Sequence, residues 1–208
     1  MIEYIDLGLI PYSEALNFQM ECVSSVQQGG GDRVIFCSHS PVVTLGRGFK
    51  GKDQEIGTWK GEVVETSRGG KATYHGPSQI VIYPIVNLAN ERSGYRSKDV
   101  HEYLRQFEKT IVQTLNDFDV SAEIKETPKG SDRQFTGVWV GNHKVASIGV
   151  AIKKWVTFHG CAINLEKDPH AFQGINPCGF SPQTMISVEE IIGKPIDRDL
   201  FKNRFKEY

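Results

Sequence analysis

Apolar residues recur along this 208-residue chain with two different periods, and the switches between them sketch the fold. Leu16, Met20 and Val23 fall at helical spacing within residues 11–28 and predict a helix, which Gly29-Gly-Gly-Asp32 ends. Residues 98–117 carry the clearest helical signal, with Val100, Leu104, Phe107, Ile111 and Leu115 on one apolar face. Short apolar runs at 34–37, Val42–Leu45, 62–66 and 79–84 are bounded by turn residues and predict strands, Pro84 marking an end or an edge. The second half is richer in strands. Residues 135–140 and 144–152 flank Gly141-Asn-His143, a tight hairpin connection, and 155–165 follows as a third antiparallel strand. Ser187-Val-Glu-Glu190 has the capping-box pattern of a short helix ending near Gly193 and Pro195, and an amphipathic piece at 197–208 closes the chain. The polar stretch 126–134 reads as a surface loop. Strand runs interspersed with a few helices predict an α+β fold, a mixed or antiparallel sheet flanked by helices in one domain over residues 1–208.

Composition narrows the function classes. Basic residues number 24 against 25 acidic ones, a net charge of −1 that gives no footprint for nucleic acid or an anionic membrane. No apolar run approaches the roughly 20 residues that span a bilayer. The first residues, Met-Ile-Glu-Tyr-Ile-Asp, carry acids where a secretion signal needs positive charge, so the expected location is the cytoplasm. The four cysteines, Cys22, Cys37, Cys161 and Cys178, form no Cys-x-x-Cys pair and have no histidine at zinc-site spacing. Cys22 on a helix and Cys37 at the end of an apolar run read as structural. His75, His143 and His159 lack carboxylate support at metal-binding spacing, and no metal or other cofactor is expected.

Cys178 stands apart. It lies between Pro177 and Gly179, in a segment too punctuated for a helix interior or a central strand, and such a loop favours a reachable thiol. Lys144 opens an otherwise apolar strand, where it is either a partner for a reactive group or a lysine snorkelling at a hairpin end. Ser67-Arg-Gly-Gly-Lys-Ala-Thr-Tyr-His-Gly-Pro-Ser-Gln79 is glycine-rich enough to let backbone approach a ligand or hold an oxyanion. It is equally readable as a turn between strands, with His75 in a local hydrogen bond. It matches neither the P-loop nor the dinucleotide fingerprint.

Taken together, Arg68-Gly-Gly-Lys-Ala-Thr-Tyr-His-Gly-Pro-Ser-Gln79, Lys144-Val-Ala-Ser-Ile-Gly149, His159-Gly-Cys-Ala-Ile-Asn164 and Pro177-Cys-Gly179 resemble the lipoate-biosynthetic octanoyltransferases in order and spacing, from about Leu45 to Val188. The resemblance implies the fold of biotin and lipoate protein ligases. It also implies transfer of an octanoyl group from octanoyl-acyl carrier protein to a lysine of lipoyl domains, those of 2-oxoacid dehydrogenases and the glycine cleavage H protein, through a cysteine thioester. By position it makes Cys178 the nucleophile and Lys144 the group that lowers its pKa. It further implies an acyl pocket lined by Arg68, Gly69, Gly70, Lys71, Ala72, Thr73, Tyr74 and His75, by Ser147, Ile148 and Gly149, and by Gly160, Cys161 and Ala162. A monomer is expected.

The chemistry is coherent with that assignment. A free thiol with a pKa of about 8.5 is only a few per cent thiolate at neutral pH, and a nearby ammonium favours the anion. Once the sulfur is acylated, burial lowers the lysine's own pKa, fitting it as general base toward the incoming amine. Thioester exchange is nearly balanced and amide formation runs downhill, so no nucleotide is needed. The amides of Gly69, Gly70 and Gly179, with His75 and His159, are candidate oxyanion donors. Three positions depart from the family pattern: Ser78 replaces a glycine, Ile186 a threonine, and Cys161 an apolar residue, adding a rival thiol. An ATP-dependent lipoate or biotin ligase, a silent acyl-binding module and another type of cysteine enzyme are the competing readings.

Overall fold

The computed structural model describes residues 2–51, 56–91, 96–131 and 133–208. Among these described residues, ten strands and four α-helices follow in the order β1 (Glu3–Ile10), α1 (Tyr12–Gln27), β2 (Arg33–His39), β3 (Val42–Leu45), β4 (Glu62–Glu65), β5 (Ala72–His75), β6 (Gln79–Ile85), α2 (Val100–Asn116), β7 (Glu123–Ile124), β8 (Gly137–Val140), β9 (His143–Lys153), β10 (Val156–Asn164), α3 (Val188–Ile192) and α4 (Arg198–Phe205). Seven strands form one mixed sheet, ordered β1-β2-β6-β10-β9-β8-β7, and a small sheet is ordered β4-β3-β5. Of these strands, β1 pairs parallel with β2 and β3 with β4, the remaining pairs being antiparallel.

Strand periodicity separates two cores. Val34 and Phe36, Ile80 and Ile82, and Cys161 and Ile163 pack with Phe107, Ile111 and Leu115 of α2, Val188 of α3 and Phe201 and Phe205 of α4. Their neighbours Ile35 and Cys37, Val81 and Tyr83, and Ala162 pack with Ala15, Cys22, Val23 and Val26 of α1 on the other face. A third cluster joins Val43 and Leu45 of β3 and Ala72 and Tyr74 of β5 to Phe172 and Ile175.

The predicted helices stand, and the capping box at Ser187 is complete, with each side chain on the other's backbone N–H. Three strands escaped the sequence reading. β1 is one, although its inward Ile5 and Leu7 alternate with polar or exposed positions. β5 is the second: residues 72–75 are a fully buried strand rather than part of a turn, and the third is the two-residue β7. Pro84 is not on a sheet edge but lies one residue before the end of β6. It pairs with Val34 of β2, while the β10 ladder stops at Ile82, so its missing N–H costs no bond on that side.

Candidate active site

Two family-like triplets lie side by side because the β9–β10 hairpin sets them so. Gly160 pairs with Gly149, Cys161 with Ile148 and Ala162 with Ser147. These six residues, with Arg68, Gly70, Thr73, His75 and Cys178, form part of the wall of a narrow pocket that opens to solvent. Tyr12, Tyr83, Gln134, Thr136 and His159 complete it. The alternation of β5 divides the remaining expected residues: Thr73 and His75 face the pocket, whereas Ala72 and Tyr74 point into the third core cluster. Gly69, Lys71 and Lys144 also lie outside the wall.

The glycine-rich loop is docked on the sheet. The β8–β9 ladder reaches Ser147, and Gly69 N–H takes the Val150 carbonyl farther along β9 at 2.9 Å. Gly149 permits this approach, since a Cβ there would stand 2.8 Å from the Gly69 carbonyl oxygen and 3.2 Å from Arg68 Cδ. Arg68 is buried and donates to the Gly69, Lys71 and Thr44 carbonyls and twice to the Thr44 hydroxyl, with distances of 2.6–3.2 Å. All of these acceptors are neutral. The amides of Gly69 and Gly179 are spent on Val150 and Asn176, so Gly70 alone of the three expected oxyanion amides stays in the pocket wall.

Cys178 is not the exposed loop thiol that its Pro and Gly neighbours suggested. It is 7% exposed, in a 3-10 turn (Pro177–Gly179) with the left-handed φ of 54°, and packs with Trp139 and Phe180. Trp139 and Phe180 cover the turn on one side, and Cys178 reaches the pocket on the other. Lys144 is 1% exposed, deeper than a snorkelling lysine could lie. Phe135 stacks on Trp139 and Phe180 meets both edge-on, with centroids 5.0–5.3 Å apart, and the Lys144 ammonium lies 5.5 Å from the Trp139 ring and 5.9 Å from that of Phe180.

Gln134, in the stretch read as a surface loop, ties the two together. Its N–H donates to the Cys178 carbonyl at 3.2 Å, and its carbonyl accepts from Lys144 Nζ at 3.1 Å. Nothing in the local sequence marks it. Burial works against the charge on both Lys144 and Arg68, and in each the Cys178 sulfur opposes that effect.

The other histidines and the rival thiol settle into distinct environments. Burial, and then Arg68, lowers the His159 pKa to about 4, and its ring lies between the Tyr12 hydroxyl at 3.4 Å and that of Ser67 at 3.2 Å. His75 takes the Thr44 hydroxyl at Nε2, while His143 is exposed where β9 begins. Cys161 borders the pocket, but its side chain packs in the α2-side core, and burial pushes its pKa far up. Ser78 keeps an ordinary φ and donates to Asp168, so its turn does not require glycine. Ile186 meets the site through its backbone, its N–H on the Lys144 carbonyl at 3.2 Å.

Fold and site together define an enzyme built on the lipoate and biotin protein ligase architecture. Protein Ta0514 of T. acidophilum, solved with bound lipoic acid, has a TM-score of 0.77 at 16% identity, over 99% of this chain and 83% of that one. A biotin protein ligase of Aquifex aeolicus has a TM-score of 0.52 at 10% identity, over 99% and 65%. Residues 11–208 match the lipoyl protein ligase A/B catalytic domain, and the chain belongs to that family. Its curated relatives include the octanoyltransferases of Bdellovibrio bacteriovorus, 45% identical over 97% of this chain and 94% of the relative, and of a Geobacter species, 39% identical over 97% and 90%. The protein is an acyltransferase of this family.

Proposed function

We propose that this chain, acting as one catalytic domain over residues 1–208, transfers an octanoyl group from octanoyl-acyl carrier protein to a lysine of lipoyl domains. The acceptors would be those of 2-oxoacid dehydrogenases and the glycine cleavage H protein. The observation that carries the reading is Gln134, whose backbone joins the Cys178 turn to the buried Lys144 ammonium, with Arg68 as a second buried cation acting on the same sulfur.

Two balanced steps follow. The Cys178 thiolate attacks the carrier thioester carbonyl, the bond to the carrier sulfur breaks, and the departing thiolate takes a proton from the Lys144 ammonium. The acceptor amine then attacks the octanoyl-cysteine, neutral Lys144 takes the proton, and the C–S bond breaks to restore thiolate and ammonium. The Gly70 amide and the Arg68 guanidinium are the donors best placed for the oxyanion. The chain would work as a cytoplasmic monomer with neither nucleotide nor metal. Intact-mass measurement after incubation with octanoyl-acyl carrier protein, without ATP, tests this. An octanoyl adduct on Cys178 that chases onto a lipoyl domain is expected. An adduct on Cys161, or transfer that requires ATP, overturns it.

A further inference from the structure

We propose that Glu108 is a positioning residue for this transfer: across Gly137, its carboxylate holds the Lys144 ammonium in the site. The inference rests on the acyl-cysteine reading above and adds a third member to it.

Glu108 interrupts the apolar face of α2. It lies one turn after Leu104 and one turn before Ile111, a position that packs inward, and it is 5% exposed. A carboxylate at that depth is costly unless something compensates it. Its Oε1 accepts the Gly137 N–H at 3.3 Å. Gly137 in turn leaves room for Lys144. With φ at 136°, it has no side chain where a Cβ would stand 2.8 Å from Lys144 Cε and 2.2 Å from the Ala146 carbonyl oxygen. One residue therefore gives its N–H to the acid and its bare Cα to the stem of the base.

The groups that face Lys144 come from every element packed on it. Cys178 lies on the 3-10 turn, the Gln134 carbonyl precedes β8, the Trp139 and Phe180 rings flank the ammonium, and Glu108 approaches from α2. Arg105 also acts on Glu108, but it is exposed and paired with Glu126 at 3.2 Å. Among the described residues, Glu108 is the one carboxylate that favours the charged form of Lys144, against the burial that disfavours it. Its role changes over the cycle. In the free enzyme it shares the ammonium with the thiolate. Acylation removes the thiolate, and Glu108 is then the anion that still opposes burial and sets when Lys144 becomes a base.

The consequence is directional. Glu108→Gln keeps an acceptor for Gly137 and removes the charge, so Lys144 loses its proton at lower pH in both states. The alkaline limb of Cys178 acylation and the acid limb of octanoyl transfer to the amine should both move down, by about one pH unit. The experiment is single-turnover kinetics across pH for each half-reaction, with intact-mass detection. A purely structural role would lower the rates without moving either limb, and that outcome overturns the proposal. If Glu108→Gln fails to fold, Glu108→Asp serves: its carboxylate, one methylene farther away, should move both limbs the same way by less, and unmoved limbs overturn the proposal. Failure of the wild type to form the Cys178 adduct sinks the acyl-cysteine reading instead, whatever Glu108 does.

Discussion

Gly149→Ala is the substitution whose effect follows most directly from the geometry. The new methyl would lie 2.8 Å from the Gly69 carbonyl oxygen and 3.2 Å from Arg68 Cδ. A relaxed carbon–oxygen contact is about 3.3–3.6 Å, so the loop must retreat by at least roughly 0.5 Å. Its anchor, the Gly69 N–H on the Val150 carbonyl, stretches with it. Overpacking of this kind costs about 1–3 kcal/mol, and at this chain length each kcal/mol lowers Tm by about 2–4 °C. The catalytic loss should be larger than that strain suggests, because Arg68 and Gly70 move together and a displacement near 1 Å costs about 100-fold. A tenfold or greater loss in the rate of Cys178 acylation is expected. Gly141→Ala supplies the control. Gly141 has a positive φ, 55°, which Gly149 lacks, and sits at a hairpin tip with nothing within 4 Å of an added Cβ. Its left-handed strain of about 1–2 kcal/mol should lower Tm comparably and leave acylation unchanged. Differential scanning calorimetry paired with rapid-quench mass spectrometry measures both. If the two variants lose stability and rate in the same proportion, the claim that Gly149 positions the Arg68 loop is wrong.

Three further outcomes are expected. Lys144→Arg keeps a cation near Cys178 but cannot give up its proton, so the adduct should form more slowly, the departing carrier thiolate having lost its acid, while transfer to the lipoyl domain, which needs the base, falls at least about 100-fold; full turnover removes Lys144 as acid and base. Cys161→Ala should cost about 1 kcal/mol in urea denaturation and leave the adduct on Cys178, whereas loss of the adduct would restore Cys161 as nucleophile. His159 is held near a pKa of 4 against about 6.5 unfolded, so between those values the unfolded chain binds the extra proton and stability rises with pH. Its contribution is whole above pH 6.5 and is lost as pH falls toward 4, about 3 kcal/mol in all. Denaturation midpoints for wild type and His159→Gln should therefore diverge in slope across that window, and parallel slopes refute the assignment.

The sequence showed the fold wherever one periodicity ran long enough. Val100 to Leu115 could only be an amphipathic helix, and the β8–β9–β10 meander followed from its hairpin turn. The misses were short or locally ambiguous. β5 has four residues behind two glycines, and only its pairing with β3 makes it a strand. At the site, the motifs marked where chemistry belongs but not how it is enclosed. Pro177 and Gly179 implied an open loop, and the rings of Phe135 and Trp139, distant in sequence, closed it together with neighbouring Phe180. Gln134 acts through its backbone and left no side-chain signal. Glu108 did leave one, an acid inside an apolar stripe, and it could have been found by asking why the stripe was broken.

On the proposed mechanism, the burial of Lys144 and Arg68 sets stability against activity. Two cations held beneath the surface with one carboxylate nearby are poor for folding, since hydrophobic residues of similar volume at such positions are often neutral or more stable. Selection of this protein for heat resistance alone would be drawn to changes such as Lys144→Met, and would deliver sturdier molecules that no longer transfer anything. Directed evolution therefore needs a functional screen at every round, and thermal robustness is better sought at exposed, chemically idle positions such as Leu9 or Val63.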